Sequence, residues 1–369
     1  MSSTAATSPR GTGRGQRVTI ADIAERAGVT SAAVSLAVNG RPGVSDATRA
    51  RVMDIARELH WEPSHAARAL AGAPVLTVGM VLARPADVLG AEAFFGAFVA
   101  GLQEVLSAQD YSLQMKIVDS PEAEIDTYRR WFGQRRVDGV VVVDLRVDDP
   151  RIPALEELAQ PALVIGGPGH HGCLPSVYVD DARATALLVE HLVEQGHRRI
   201  ARVAGTAEFL HTAQRDQTFT ALCAQLGVEG VLQEAGFGAD GAARATAELL
   251  AAQTSPTAIV FDSDEMALSG ARVVLESGAD IPGDVAIASY EDSPLARTHR
   301  PSITAIGRSA VEYGRVAARR MLEIIAGWST SGASETAQTE SRAIDPELLV
   351  RGSTDPGAEP ASAPTGSRG

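Results

Sequence analysis

The sequence predicts an all-α helix-turn-helix head with a hinge helix, followed by a longer α/β region of two doubly wound lobes. Three observations predict it. Two short amphipathic segments flank a glycine between Val18 and Asn39. A short Ala-rich stretch after Pro63 separates the head from the rest of the chain. From Pro74 onward, β-branched apolar runs alternate with helical patterns.

In the head, Thr19 followed by Asp22 forms an N-cap signature, and Ile20, Ile23, Ala24 and Ala27 share a helical face. Gly28 accepts the left-handed conformation of a sharp turn. Thr30 then caps a second helix in which Ala33, Val34, Ala37 and Val38 recur at helical spacing. Two helices set this way can place the second in a major groove; a helical hairpin in an ordinary core has the same local pattern. Ser45 and Thr48 open a third helix, with Val52, Ile55, Ala56 and Leu59 inward and Arg49, Arg51 and Arg57 elsewhere. It is expected to run to Trp61-Glu62-Pro63. Ser64 to Ala71 is too short to be stable as a free helix, so it needs a packing partner.

These segments resemble the lactose/galactose repressor family of bacterial transcription regulators. The motifs are TIADIAERAGVT, VSLAVNG, VSDATRARV and PSHAARALAG, then VDDARA, GHRRIARVAG, PTAIVFDSDEMAL, DVAIASYEDSPLA and PSITAI, in the family's order from about Arg17 to Arg351. By this resemblance the DNA-facing residues are Thr19, Thr30, Ser31, Ala32, Ser35, Leu36, Asn39, Thr48 and Arg49 of the head. Ser64, His65, Ala67, Arg68 and Leu70 of the hinge join them, Leu70 as an apolar wedge between central base pairs. The implied partners are a pseudo-palindromic operator, a small-molecule effector that is a sugar or a related metabolite, and a second copy of the chain.

Charge agrees with a two-part molecule. Residues 1–72 carry nine Arg against six acidic residues, a net of +3, whereas the remainder carries 24 basic against 40 acidic, a net of −16. A basic head suits phosphates, and an acidic body is repelled by them. No apolar run approaches the ~20 residues of a membrane span, and MSSTAATSPRGTGRGQ lacks the apolar core of a secretory signal. Cys173 and Cys223 show no ligand-like spacing and are expected as buried free thiols in the cytoplasm, where the protein is expected to associate with the nucleoid.

In the body, strands are expected at Val75–Ala83, Tyr111–Val118, Val137–Val143 and Ala162–Ile165, with a helix over Phe94–Gln109. Further strands are expected at Ser176–Val179, Ile200–Ala204, Ala258–Phe261 and Val285–Tyr290. The resemblance makes the two lobes periplasmic-binding-protein-like and implies three chain crossings, near Val179–Asp181, Ile306–Arg308 and Gly327–Ser331. The resulting domains are an N-terminal arm (1–16, disordered), the head (17–62), the hinge (63–73), the effector-binding and dimerisation domain (74–351) and a disordered tail (352–369). The N-lobe takes about 74–178 plus 308–328, and the C-lobe about 179–306 plus 330–351. The tail lacks leucine heptads, so a dimer is the expectation.

An effector belongs between the lobes, where strand carboxyl ends converge. The resemblance assigns it Arg215, whose fork suits vicinal hydroxyls or a carboxylate, Ser263 and Asp264 after one strand, Glu291 and Asp292 after another, and Phe237 as a stacking face. Each has a plain structural alternative: a surface charge, a helix N-terminal acid or a core ring. Three departures reshape the cleft. Gly166 stands where relatives offer a carboxylate, Thr218 where they have Gly, and Ala310 where the residue is often aromatic.

GGPGHHG (Gly166–Gly172) lacks the Lys-Ser/Thr of a phosphate loop, and adjacent His170 and His171 do not share a helical face. No Ser-His-Asp or Cys-His arrangement stands out, so neither an enzyme nor a cofactor or metal is expected. Two function classes remain: a ligand-responsive repressor, and a two-lobed binding protein whose head docks a protein partner.

Overall fold

Thr19 and Asp22 lock the first turn of α1 (Ile20–Ala27): the Asp22 carboxylate accepts from the Thr19 N–H and Oγ1–H, each at 2.7 Å. The computed structural model describes residues 18–38, 40–62, 73–84, 93–331 and 341–358, which fall into two units divided after Val75. Gly28, at φ 63°, ends α1 in the left-handed region. Thr30 Oγ1 accepts from the Ala33 N–H at 3.2 Å and so opens α2 (Ser31–Val38). Ser45 caps α3 (Asp46–Glu58) through the Thr48 N–H at 3.2 Å. Ile23, Ala24, Ala27, Val34, Ala37, Val52 and Ala56 meet in one small core. Here α3 stops short of Trp61, because His60 turns left-handed (φ 48°) and the Trp61 N–H closes on the Ala56 carbonyl at 2.9 Å.

Among the described residues, the larger unit holds two six-stranded sheets. In chain order its elements begin with β1 (Thr77–Leu82), α4 (Ala93–Ser107), β2 (Ser112–Ile117), α5 (Pro121–Gly133) and β3 (Gly139–Val142). Next come α6 (Arg151–Leu158), β4 (Ala162–Ile165), β5 (Ser176–Val179), α7 (Asp181–Glu194), β6 (Arg199–Ala204), α8 (Leu210–Leu226) and β7 (Glu229–Glu234). The chain continues through α9 (Ala239–Ala251), β8 (Ala258–Phe261), α10 (Asp264–Glu276), β9 (Ala286–Ser289), α11 (Pro294–Thr298), β10 (Thr304–Gly307), α12 (Ala310–Ser331), β11 (Arg342–Ile344) and β12 (Glu347–Leu349).

The N-lobe sheet runs β11-β5-β4-β3-β1-β2 and is parallel throughout. The C-lobe sheet runs β12-β10-β9-β8-β6-β7, with only β12 antiparallel. Central strands β1, β3, β4, β8 and β9 are buried along their whole length, as sheets covered on both faces require. Helix α12 packs on α4 through the rings of Phe94, Phe98 and Tyr313 and, at two glycines, backbone against backbone. A Cβ on Gly101 would lie on the Val311 carbonyl oxygen, and one on Gly314 on that of Phe98.

Three expectations change. The third crossing is not at Gly327–Ser331, because β11 adds to the N-lobe sheet beside β5, and the chain passes to the C-lobe between Ile344 and Glu347. The tail does not start as disorder at Gly352: the Ser353 N–H donates to Ser302 O at 3.0 Å, and Ser353 O accepts from the Ile287 N–H at 3.0 Å. Of the two free thiols, Cys223 is buried, and burial raises its pKa to about 11, but Cys173 is exposed. Asn39, the N-terminal arm, the hinge residues Ser64, His65, Ala67, Arg68 and Leu70, and the last part of the tail lie outside the described residues.

Candidate functional site

On the head, Thr19, Thr30, Ser31 and Ala32 are exposed around the start of α2, and Ser35, Leu36 and Thr48 are half-buried. Arg49 has a structural task. Its guanidinium donates to Ala37 O (2.7 Å) and Leu36 O (3.3 Å), α2 carbonyls that lack intrahelical partners, and to Arg41 O (2.7 Å) in the turn that follows. That pins the C-terminal end of α2 and leaves its N-terminal turn presented to solvent.

In the larger unit, seven strands of the two sheets deliver their next residues to the same gap between the lobes. Arg84 follows β1, Asp144 follows β3, Gly166 follows β4 and Asp181 follows β5; Asp262 and Ser263 follow β8, Glu291 follows β9 and Arg308 follows β10. Together with Phe94, Phe95, His211, Arg215, Phe237 and Tyr313 they enclose a cavity of about 90 Å³. A second cavity of about 470 Å³ lies beside it, lined by Asp264, Asp292, Arg297, Ala310 and Glu347 and sharing Phe94, Glu291 and Arg308 with the first.

Arginines organise the walls. Arg84 grips Asp144 through Nε (2.6 Å) and Nη2 (2.9 Å) and lies over the rings of Phe95, Phe209 and Phe237. Arg308 binds Glu291 at 3.1 Å and lies over Phe94. Arg215 reaches the cavity, but its Nε binds Asp181 (2.6 Å), its Nη1 binds Asp262 (2.9 Å) and its guanidinium lies 4.2 Å from the Tyr290 ring centre. Arg202 holds the other side of Asp262 at 2.9 and 3.1 Å. Burial pushes the Asp262 pKa up, but the two arginines and the Gly205 N–H outweigh it and hold the carboxyl well below the usual range. Glu291 goes the other way: burial raises its pKa more than Arg308 lowers it. His211 stays neutral, because burial and then Arg215 oppose its protonation.

Two more features set the walls. A buried cluster behind the N-lobe wall ties Arg151 to Asp149 (2.7 Å), Glu124 (2.9 Å) and Asp144 O (2.7 Å), which fixes the loop carrying Asp144 and Arg146. That loop meets the other lobe. The Leu210 N–H donates to Leu145 O (2.8 Å), the Val147 N–H donates to Glu208 O (3.0 Å), and Arg146 pairs with Glu208 at 2.7 Å. The lobes are therefore closed on each other.

The structure thus brings Arg215, Phe237, Ser263 and Glu291 to the first cavity and Asp264, Glu291 and Asp292 to the second. Two of these have other duties as well: Ser263 caps α10 through Met266, and Asp292 pairs with Arg297 and Arg351. Sequence reasoning missed Arg84, Asp144, Asp181, Asp262 and Arg308. The rule that ligands lie beyond strand carboxyl ends finds all five once it is applied to every strand. Among the described residues no group of His, Cys, Asp and Glu could hold a metal, and no helix is long and apolar enough to cross a membrane.

Comparison with known proteins gives the same division. Residues 19–64 match bacterial regulatory proteins of the lacI family, and residues 189–354 match a periplasmic binding protein-like domain. The HTH-type transcriptional regulator CelR of Thermobifida fusca is 30% identical over 343 residues, spanning 92% of this chain and 98% of the relative. A solved structure of the lac repressor dimer bound to operator and the anti-inducer ONPF is similar, with a TM-score of 0.78 and 25% identity over 92% of this chain and 99% of that one. A CelR–cellobiose complex is similar with a TM-score of 0.68 and 28% identity over 91% of this chain and all (100%) of that one. From its first helix to the end of its second sheet, the chain belongs to the lacI family of bacterial regulatory proteins.

Proposed function

We propose that the chain is a transcriptional repressor that binds a pseudo-palindromic operator as a homodimer, and that a small polyhydroxylated molecule between its lobes sets its operator affinity. One observation carries the reading: a helix-turn-helix with an exposed α2 N-terminus shares a chain with a cleft of paired arginines and carboxylates. In the cleft, Arg84, Arg215 and Arg308 face Asp144, Asp181, Asp262 and Glu291, and behind them Arg202 bridges Asp262 and Asp216, so the cations do not outnumber the carboxylates. Such a balance suits a neutral ligand, and the forks and carboxylates supply donors and acceptors for hydroxyls. The relative solved with cellobiose supports the same class. Relatives named as regulators rather than enzymes support a non-catalytic role.

The dimer reading is supported by apolar side chains exposed on one edge strand of each sheet, Met115 and Ile117 on β2 and Leu232 on β7. A two-fold dimer presents two α2 helices to major grooves about one turn apart. The ligand acts through its different affinities for two lobe arrangements.

The test uses the full chain and a random duplex library, followed by binding measured against salt. The reading expects one enriched, two-fold symmetric motif and an affinity that falls by roughly 10³ or more between 50 and 200 mM salt. No enriched motif and a flat salt response would instead make the head a protein-docking module.

A further inference from the structure

The cleft is partitioned. The Arg308–Glu291 pair, with Arg308 lying over Phe94, forms the wall shared by the two cavities. The inner one, about 90 Å³, is far smaller than small-molecule sites of roughly 300–1,000 Å³, whereas the outer one, about 470 Å³, falls within that range. The outer chamber is roomy because small residues line its N-lobe side: Ala97 on α4 and Ala310 at the start of α12.

Its polar groups are also telling. Asp292 is neutralised by Arg297 and Arg351, and Glu291 by Arg308. Asp264 is different: it is 5% exposed and lines the chamber, and its carboxylate has no hydrogen-bond or ion-pair partner among the described residues. A buried carboxylate accepts and does not donate, so it calls for O–H or N–H donors.

The geometry points to a second ligand subsite. The effector has at least two linked rings: one takes up the inner chamber only once the shared Arg308–Glu291 wall opens, and a neutral, hydroxyl-bearing one lies in the outer chamber donating to Asp264. This rests on the polyhydroxylated-ligand reading above and adds the length and charge of the ligand. Binding parts the Arg308–Glu291 pair, so that the two chambers become one. A ring bearing a carboxylate or phosphate is rejected, because Asp264 and Glu347 repel it.

The test is a titration of the full chain, by calorimetry and thermal shift, with glucose, galactose and mannose, then cellobiose, maltose, lactose and maltotriose, and a uronic-acid-terminated disaccharide. Expected is a neutral di- or trisaccharide that binds at least tenfold more tightly than its constituent monosaccharides and than the acidic disaccharide. Ala310→Phe, which fills the outer chamber, should weaken that oligosaccharide tenfold or more and change monosaccharide binding less than twofold, and Asp264→Asn should weaken the oligosaccharide tenfold or more. Their unliganded melting temperatures serve as the folding control. Monosaccharides that bind as tightly as oligosaccharides, with Ala310→Phe unchanged, overturn the two-chamber inference alone. No stabilisation by any sugar overturns the ligand-class reading and this inference with it.

Discussion

The guanidinium carbon of Arg84, on the N-lobe, stands 5.4 Å from the centre of the Phe237 ring, on the C-lobe. The same cation is held from behind by Asp144 and also covers Phe209, so one side chain joins both walls of the cleft. A cation–π contact removed from water is worth up to about 2 kcal/mol, enough to shift a lobe-closure equilibrium more than tenfold. Phe237→Ala should therefore open the lobes. Small-angle scattering should give a larger radius of gyration for the unliganded variant, and an unchanged radius would remove Arg84 and Phe237 as a latch.

Arg215 read from sequence is a ligand fork whose loss should abolish effector response and leave DNA binding intact. The structure adds a structural duty, since Asp181 has Arg215 as its cation partner and Asp262 shares it with Arg202. Removing one partner of a buried ion pair costs about 3–5 kcal/mol. Arg215→Ala should therefore melt well below the wild type, and Arg215→Lys should recover only part of the loss, because an ammonium cannot bridge two carboxylates as a fork does. A variant with wild-type melting would confine Arg215 to ligand contact.

His211, His191 and His197 all have pKa values held below the ordinary imidazole value, chiefly by burial. With a depressed folded-state value, the unfolded chain takes up the proton first, so stability is complete above about pH 6.5 and is lost as pH falls toward the folded value. Glu124, Asp216 and Glu291 are pushed up by burial and act in the opposite sense. The informative comparison is therefore wild type against His211→Gln, in melts from pH 7.5 to 5.5. The wild type should lose more on acidification; equal slopes would exclude His211 as a source of acid sensitivity.

On the head, the exposed α2 positions Ser31 and Ala32, with half-buried Leu36 beside them, are short or apolar. They can touch a thymine methyl but form no bidentate base pairs, each worth about 1–3 kcal/mol of discrimination. Leu36→Arg should shift the selected motif toward G at one position in each half-site. An unchanged motif would mean that α2 does not face the bases as placed here.

Much of the fold is legible locally. Thr19 with Asp22, Gly28 and Thr30 specify the head by short-range hydrogen bonds and one turn conformation, and Val140 to Val142 identify a buried strand on their own. What sequence could not show is non-local. Strand β11 is three residues, Arg342–Ile344, and is a strand only because it pairs with β5. Strand β7 reads EGVLQE and has an edge strand's alternating exposure, so it lacks the apolar run that marks β3. Arg84 and Phe237 carry no motif in common; only closure of two sheets brings them together.

Regulation by this chain turns on thermodynamic coupling between cleft and head. It is read from the affinity of the full chain for its selected duplex, with and without a saturating saccharide from the titration panel. Coupling of ordinary allosteric size gives a change of roughly 5- to 150-fold, with the duplex changing saccharide affinity by the same factor. Equal affinity for the duplex in both conditions, with the saccharide demonstrably bound, would show that cleft and head are uncoupled.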